Sequence, residues 1–285
     1  MKQSDSRIGP RPGWSLDLRD PQLIQTLQPL WGWFYDHYFH VQTAGWEQIP
    51  DGQVMVVGSH NGGLASPDMA MLIYDWVRCF GPERLVYGLM HPHVWKVSPP
   101  MANLAERTGA IAAHPKMALA ALDRNASLLV FPGGAQDVFR PFHQRHQIHL
   151  ANRKGFIRIA LQRHVPIIPA VSWGAHETLM VLANIYPLMQ RLHEWGMPWL
   201  FGLDPEVFPI YLGIPWGLAF GPLPNIPWPH PIATRIGAAI YFERYGEDAA
   251  HDRAYVDRCY DQVCYRMQQE LNTLIAKGTS INPLN

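Results

Sequence analysis

Between residues 21 and 40 (PQLIQTLQPLWGWFYDHYFH) apolar side chains recur at helical intervals, and Leu23, Ile24, Leu27, Leu30, Trp31, Phe34, Tyr35, Tyr38 and Phe39 form one stripe. Pro29 predicts a kink or a split in that helix, because its ring removes an N–H and crowds the preceding turn. Aromatics with polar tips suit a helix packed on its own domain or one lying at a lipid interface. Further along, short apolar runs alternate with helical patterns. Strands are expected over residues 53–58, 84–89, 108–112, 127–131, 166–172 and 234–240. Helices are expected over 68–80, 92–107, 115–124, 154–164 and about 250–276. The strand runs are apolar throughout rather than alternating, which implies a sheet covered on both faces. The expected fold class is therefore α/β: a mostly parallel central sheet covered by helices on both faces, with an N-terminal amphipathic helix. Residues 1–44 read as an N-terminal segment and 45–285 as the main domain, with a Trp/Pro-rich insertion at about 188–231.

Composition narrows the partners. The 285 residues are 48% hydrophobic and 16% charged, enough to bury a large core. Lys plus Arg and Asp plus Glu are both 23, so no basic field points to nucleic acid, and an anionic ligand would have to be met locally. Cys79, Cys259 and Cys264 are an odd number without CxxC spacing, against a disulfide framework or a structural zinc site. The first residues, MKQSDSRIGPRPGW, lack the apolar run of a secretory signal, so a cytoplasmic location is expected. Residues 207–234 are uncharged and long enough to span a bilayer, but seven prolines interrupt them. Irregular backbone in hydrocarbon would leave peptide groups unpaired, so this stretch reads as a packed loop or a surface dipping into a membrane interface. With the aromatic stripe, it predicts peripheral membrane association through apolar insertion.

The candidate chemistry lies in VGSHNGGLASPD, residues 57–68. His60 follows an apolar run, at the rim where α/β sheets gather ligands. Gly62 and Gly63 permit a sharp turn or the close approach of a substrate, and Asp68 opens the next helix behind Pro67. A histidine oriented by a carboxylate suits a general base; a turn histidine beside an N-cap aspartate is the other reading, and the residues alone leave both open. A second block, LLVFPGGAQDVFR, places Pro132, Gly133 and Gly134 after a strand, where backbone N–H groups could meet an oxyanion or phosphate. Arg140, Arg153, Lys154 and Arg158 could add local positive charge. His143, His146 and His149 recur every three residues, but no carboxylate or Cys stands at an interval fitting a metal site. No Gly-x-Ser-x-Gly elbow is present, so hydrolysis would be a side reaction with water as acceptor.

In order, VGSHNGGLASPD, LVFPGGAQDVF, NRKGFIRIAL, IIPAVSWGAHET and IPWGLAFGPLP resemble the block sequence of the glycerolipid (lysophospholipid) acyltransferase superfamily. The branch they resemble includes the diacylglycerol acyltransferase type 2 and phytyl ester synthase-like proteins. The resemblance implies an acyltransferase-like fold and an O-acyl transfer in which His60 takes the proton of an acceptor hydroxyl and Asp68 orients the imidazole. It also implies a substrate pocket shaped by Asn61, Gly62, Gly63, Pro132, Gly133 and Gly134, an acyl-CoA or acyl-carrier protein donor, a lipid acceptor and a membrane surface. No metal or other cofactor is implied. Two departures stand out. The common His-x4-Asp spacing is lengthened, so that Asp68 comes eight residues after His60. The Glu-Gly-Thr-Arg block, whose Arg meets an acceptor phosphate, is replaced by Gly133-Gly134-Ala135-Gln136, which favours a neutral acceptor such as diacylglycerol. The alternatives are a lysophospholipid acyltransferase in which Arg140 or Arg153 meets the phosphate, and a catalytically silent lipid-binding protein.

Overall fold

In a computed structural model of the chain, residues 11–91, 95, 99–199 and 204–278 are described. The central sheet is built on β2 (Met55–Gly58), all four residues of which are buried. Side chains along this run divide by parity: Met55 and Val57 enter one core, Val56 and the preceding Val54 the other. The same division holds in β5 (Ser127–Val130) and β6 (Ile167–Trp173), where Leu128 and Ile167 face the first core and Leu129 and Ile168 the second. Two buried faces explain why these runs are continuously apolar.

The remaining strands of this sheet are β1 (Gln42–Ala44), β3 (Val86–Met90), β4 (Ala110–Ala112) and β10 (Ala233–Ile236), and the spatial order is β1-β10-β6-β2-β5-β3-β4. From β6 to β4 every neighbour is parallel; β10 runs antiparallel to β6, and β1 follows β10. The first core is closed by α4 (Pro115–Asp123), α6 (Gly155–Arg163), α8 (Glu247–His251) and α9 (Arg253–Gly278). The second is closed by α1 (Pro21–Trp33) and α2 (Pro67–Phe80) through Ile24, Leu72, Trp76 and Val77. Between α2 and α4 in sequence lies α3 (Pro99–Arg107); residues 92–94 and 96–98 of the helix expected over 92–107 lie outside the described residues, as do residues 1–10.

Helix α1 starts at Pro21 behind Asp20, whose carboxylate accepts from the N–H groups of Gln22 and Leu23. It runs through Pro29 and then widens into a π turn over Phe34–Tyr38. Tyr35 and Phe39 pack with Met71, Tyr74 and Ile232, so this part of the stripe faces the protein's own core, whereas Leu30 and Trp33 are exposed.

The Trp/Pro-rich stretch departs from the expected loop. Strands β7 (Met180–Asn184), β8 (Pro209–Gly213) and β9 (Gly217–Phe220) form a separate antiparallel sheet, with α7 (Tyr186–Glu194) between β7 and β8. Inward positions Tyr211 and Ala219 join Val138, Phe139, Leu179 and Val181 in a small core of their own. The outward positions Leu218 and Phe220 are apolar as well, which hid the period-two signal in the sequence. Among the described residues, no helix is long and apolar enough to cross a membrane.

Candidate active site

His60 is delivered by β2 to the rim it shares with β5. The Phe131 ring, just past β5, lies 4.6 Å from the His60 ring at an angle of 34°. A Cβ on Gly58 would overlap that same ring, so the strand must end in a residue without one. The His60 N–H donates to Asp137 Oδ2 at 2.6 Å, fixing the backbone from below. Asp137 is carried by the short helix α5 (Gly134–Val138), which opens at the Pro-Gly-Gly turn.

Three extra residues separate His60 from Asp68, and they are absorbed by a 3-10 turn over Gly63–Ala65. Gly62 and Gly63 enter it at φ of +86° and +70°, a region where a side chain is strained. Asp68 then falls in the first turn of α2, where a carboxylate is favoured by the helix dipole. Its Oδ1 comes 3.4 Å from His60 Nδ1, with only 13% and 3% of the two side chains exposed. The pair is a close contact in which Nδ1 does not complete a hydrogen bond. Oδ2 of Asp68 accepts from the Asn61 N–H at 2.7 Å and from Asn61 Nδ2 at 3.3 Å, which sets the plane of the carboxylate. On the other side of the ring, His60 Nε2 lies 3.4 Å from Ser66 Oγ, and that hydroxyl also donates to Gly63 O at 3.0 Å.

Beneath this loop sits a buried polar layer in which Asp137, Ser172 and His176, none of them singled out in the sequence, join Asn61 and Arg140. Asn61 Oδ1 receives Arg140 Nη2 at 2.9 Å and lies 3.3 Å from His176 Nδ1, while Asn61 Nδ2 reaches Ser172 Oγ at 3.2 Å. Arg140 Nη1 donates to Asp137 Oδ1 and Arg140 Nε to Gln144 O. Burial pulls the Arg140 guanidinium down to about 10, still charged at neutral pH, with the Asp68 charge opposing that fall. His176 is held down to about 3, first by burial and then by the Arg140 charge, so its ring is neutral. Asn225, from beyond β9, donates to Gly62 O at 3.1 Å and accepts from the Ala65 N–H at 3.3 Å, gripping the His60 loop from the side of the small sheet.

Several residues expected to meet substrate are placed otherwise. Arg140 is 3% exposed and its donors are taken by Asp137, Asn61 and Gln144, so it braces the loop from inside. Arg153 pairs with Glu206 at 2.9 Å and reaches Pro132 O at 3.4 Å. Asn61 is buried and spends its amide on the polar layer. The space beside the glycines is filled by the protein itself: a Cβ on Gly62 would meet Pro67 and Thr178 at 2.6 and 2.7 Å, and one on Gly63 would meet Leu179 and Asn225 at 2.5 and 2.6 Å. Gly133 is likewise closed by Asp137 and His149, and Gly134 by Arg153. At these glycines the chain packs closely on itself, and buried Pro132 sits with them. What the structure brings together is His60, Asp68, Ser66, Phe131 and Asp137. A sequence signal existed for Asp137: it stands three residues before Arg140, a spacing that pairs charges on a helical turn.

Among known proteins, an uncharacterized protein of Mycobacterium tuberculosis is 28% identical over 264 residues, covering 92% of this chain and 69% of its own length. Diacylglycerol O-acyltransferase 2 of Bos taurus is 23% identical over 158 residues, which are 53% of this chain and 42% of that enzyme. The crystal structure of the 1-acyl-sn-glycerophosphate acyltransferase PlsC from Thermotoga maritima superposes with a TM-score of 0.49 at 16% identity, covering 88% of this chain and 79% of that one. The sequence profile described as diacylglycerol acyltransferase matches residues 20–273, nearly the whole chain, and the protein belongs to the diacylglycerol acyltransferase family.

Proposed function

We propose that this acyltransferase moves a fatty acyl group from an acyl thioester, on CoA or on an acyl-carrier protein, to the hydroxyl of a neutral lipid. The observation that carries the reading is the approach of His60 Nδ1 to the buried carboxylate of Asp68 at the sheet rim. Asp68 keeps the proton on Nδ1 and stabilises the imidazolium, leaving Nε2 to take the proton of the acceptor hydroxyl. The oxygen attacks the thioester carbonyl, the C–S bond breaks, and His60 returns the proton to the leaving thiolate. Every proton in this sequence passes through His60, and the step calls on no metal or further cofactor.

A neutral acceptor is supported by the fate of the two arginines. Arg140 faces inward with its donors taken, so it offers no charge to a phosphate, and Arg153 is shared with the Glu206 carboxylate. With acyl-CoA and a panel of diacylglycerol, monoacylglycerol, lysophospholipids and long-chain alcohols, mass spectrometry is expected to find esters of the neutral acceptors. Products from lysophospholipid alone would overturn the acceptor class, and a folded enzyme yielding no ester from any pair would overturn acyl transfer.

The acceptor is reached at a lipid surface through the small sheet in this reading. Ile214, Trp216, Leu218, Phe220 and Ile226 are all exposed there, and Asn225 in the same segment holds the His60 loop. In flotation with neutral liposomes, the wild type is expected to rise with the lipid and the double variant Trp216→Ser/Phe220→Ser to remain largely in the soluble fraction. Equal flotation of the two would remove this surface from the proposal.

A further inference from the structure

Ser66 precedes α2, a position from which a serine ordinarily accepts a hydrogen bond from the N–H groups of the first helical turn. It makes no such bond. Its backbone is held at φ +46° and ψ +54°, left-handed values that a residue with a Cβ seldom adopts and that accumulate at functional sites. This turns a buried hydroxyl back over the His60 loop, where Oγ donates to Gly63 O at 3.0 Å and lies 3.4 Å from His60 Nε2. Only the first distance is that of a completed hydrogen bond. With its single proton committed to Gly63 O, Oγ offers the ring nothing but lone pairs, and a neutral imidazole protonated on Nδ1 has only a lone pair at Nε2. The two atoms therefore do not attract each other while His60 is neutral. Once Nε2 holds a proton, the same two atoms are a donor and an acceptor.

We propose that Ser66 is a positioning residue for His60, whose oxygen accepts from the Nε2–H of the imidazolium and holds that proton in place until the thiolate takes it. The proposal rests on the reading of His60 as base with Asp68 as its partner. The acceptor hydroxyl gives its proton to Nε2 as its oxygen bonds to the thioester carbonyl carbon. The new N–H is then shared with Ser66 Oγ, the C–S bond breaks, and the proton passes from Nε2 to the departing thiolate. Ser66 forms no bond to carbon and neither gains nor loses a proton. The charged ring is thereby flanked at both nitrogens, by the Asp68 carboxylate at Nδ1 and by a lone pair of Ser66 at Nε2. An interaction that is absent from the resting enzyme and present only while the imidazole is charged lowers the barrier without tightening substrate binding. Its effect belongs in kcat and not in KM. The left-handed backbone is explained as well: serving as an N-cap, the hydroxyl would face the first turn of α2 and not the ring.

The test measures steady-state ester formation by the full-length protein, with palmitoyl-CoA and whichever of diacylglycerol, monoacylglycerol, lysophospholipid or long-chain alcohol gives most product. Ser66→Ala removes the oxygen and keeps the Cβ; Ser66→Gly removes both and accepts a φ of +46° without strain, so that a folded variant lacking the hydroxyl is secured. Both are expected to lose kcat and kcat/KM equally, by about 10- to 100-fold, the worth of one hydrogen bond to a charged group, with KM for either substrate within about twofold of the wild type. At acid pH, where the ring is charged, the wild-type His60 Nε2–H should give a proton NMR signal that is broadened by solvent exchange in Ser66→Ala. A folded variant within about threefold of the wild-type kcat overturns the proposal, as does a loss expressed as a raised KM. An Nε2–H signal equally persistent in wild type and variant also overturns it. The underlying reading fails separately, when His60→Ala retains transfer; an inactive His60→Ala beside a fully active Ser66→Ala would strike this proposal alone.

Discussion

Substitution of His60 by Ala is expected to lower acyl transfer by on the order of 100- to 10,000-fold, the range ascribed to a positioned general base, while leaving the protein folded. Loss of the ring removes one tilted ring contact with Phe131, at the margin of the second core, and the rim contacts to Asp68 and Ser66, while no fully buried core side chain is touched. The backbone N–H that donates to Asp137 is retained in Ala, so the loop keeps its anchor. The two effects should therefore separate: initial rates of labelled ester formation collapse, and the thermal midpoint moves by a few degrees at most. An undiminished rate in a folded variant would refute the role given to His60. Asp68→Asn is a weaker perturbation of the same kind, since an amide oxygen at Oδ2 still accepts from Asn61 while the charge facing Nδ1 is lost.

The parts of this molecule that were legible in the sequence are those where one physical requirement acts alone. Val54 to Val57 must be apolar because both faces of β2 are buried, and the run marks the strand directly. Strand direction leaves no such trace. Burial of Thr234 and Ile236 is the same whichever way β10 runs, so its antiparallel pairing with β6 emerges only from the fold. In the β8–β9 hairpin two requirements overlap. Leu218 and Phe220 point outward yet are apolar, and the alternation that would have announced a strand is erased. The site shows the same limit. His60 and Asp68 are found by residue type and position, but whether eight residues can fold back depends on a 3-10 turn that Gly62 and Gly63 make possible. Arg140 looked like a ligand for a phosphate because its neighbours in space, Asn61 and Gln144, cannot be read from its neighbours in sequence. Ser66 lies inside the motif without standing out from it, since the imidazole its hydroxyl faces is set by the fold.

Asp137→Ala is expected to destabilise the fold by about 3–5 kcal/mol, the cost of leaving a buried charge without its partner. Asp137 is fully buried and Arg140 is 3% exposed, and the two are joined directly. Without the carboxylate, Arg140 retains Asn61 Oδ1 and Gln144 O as acceptors, but its positive charge stays in a site where burial already disfavours it. Removing both charges together is a smaller perturbation than removing one, because an uncharged side chain needs no counter-charge. The double variant Asp137→Ala/Arg140→Met should therefore recover at least half of the stability lost in the single variant, measured as the denaturation midpoint at unchanged slope. Its acyl transfer should stay low. The His60 N–H would still lack the acceptor that now lies at 2.6 Å, and Asn61, which orients Asp68, would still lack the guanidinium that steadies its amide. Recovery of stability without recovery of rate would separate the two duties of Asp137, neutralising Arg140 and placing His60. A single variant within about 1 kcal/mol of the wild type would show that the pair does not hold the loop, and a double variant with full activity would show that His60 finds its place without Asp137.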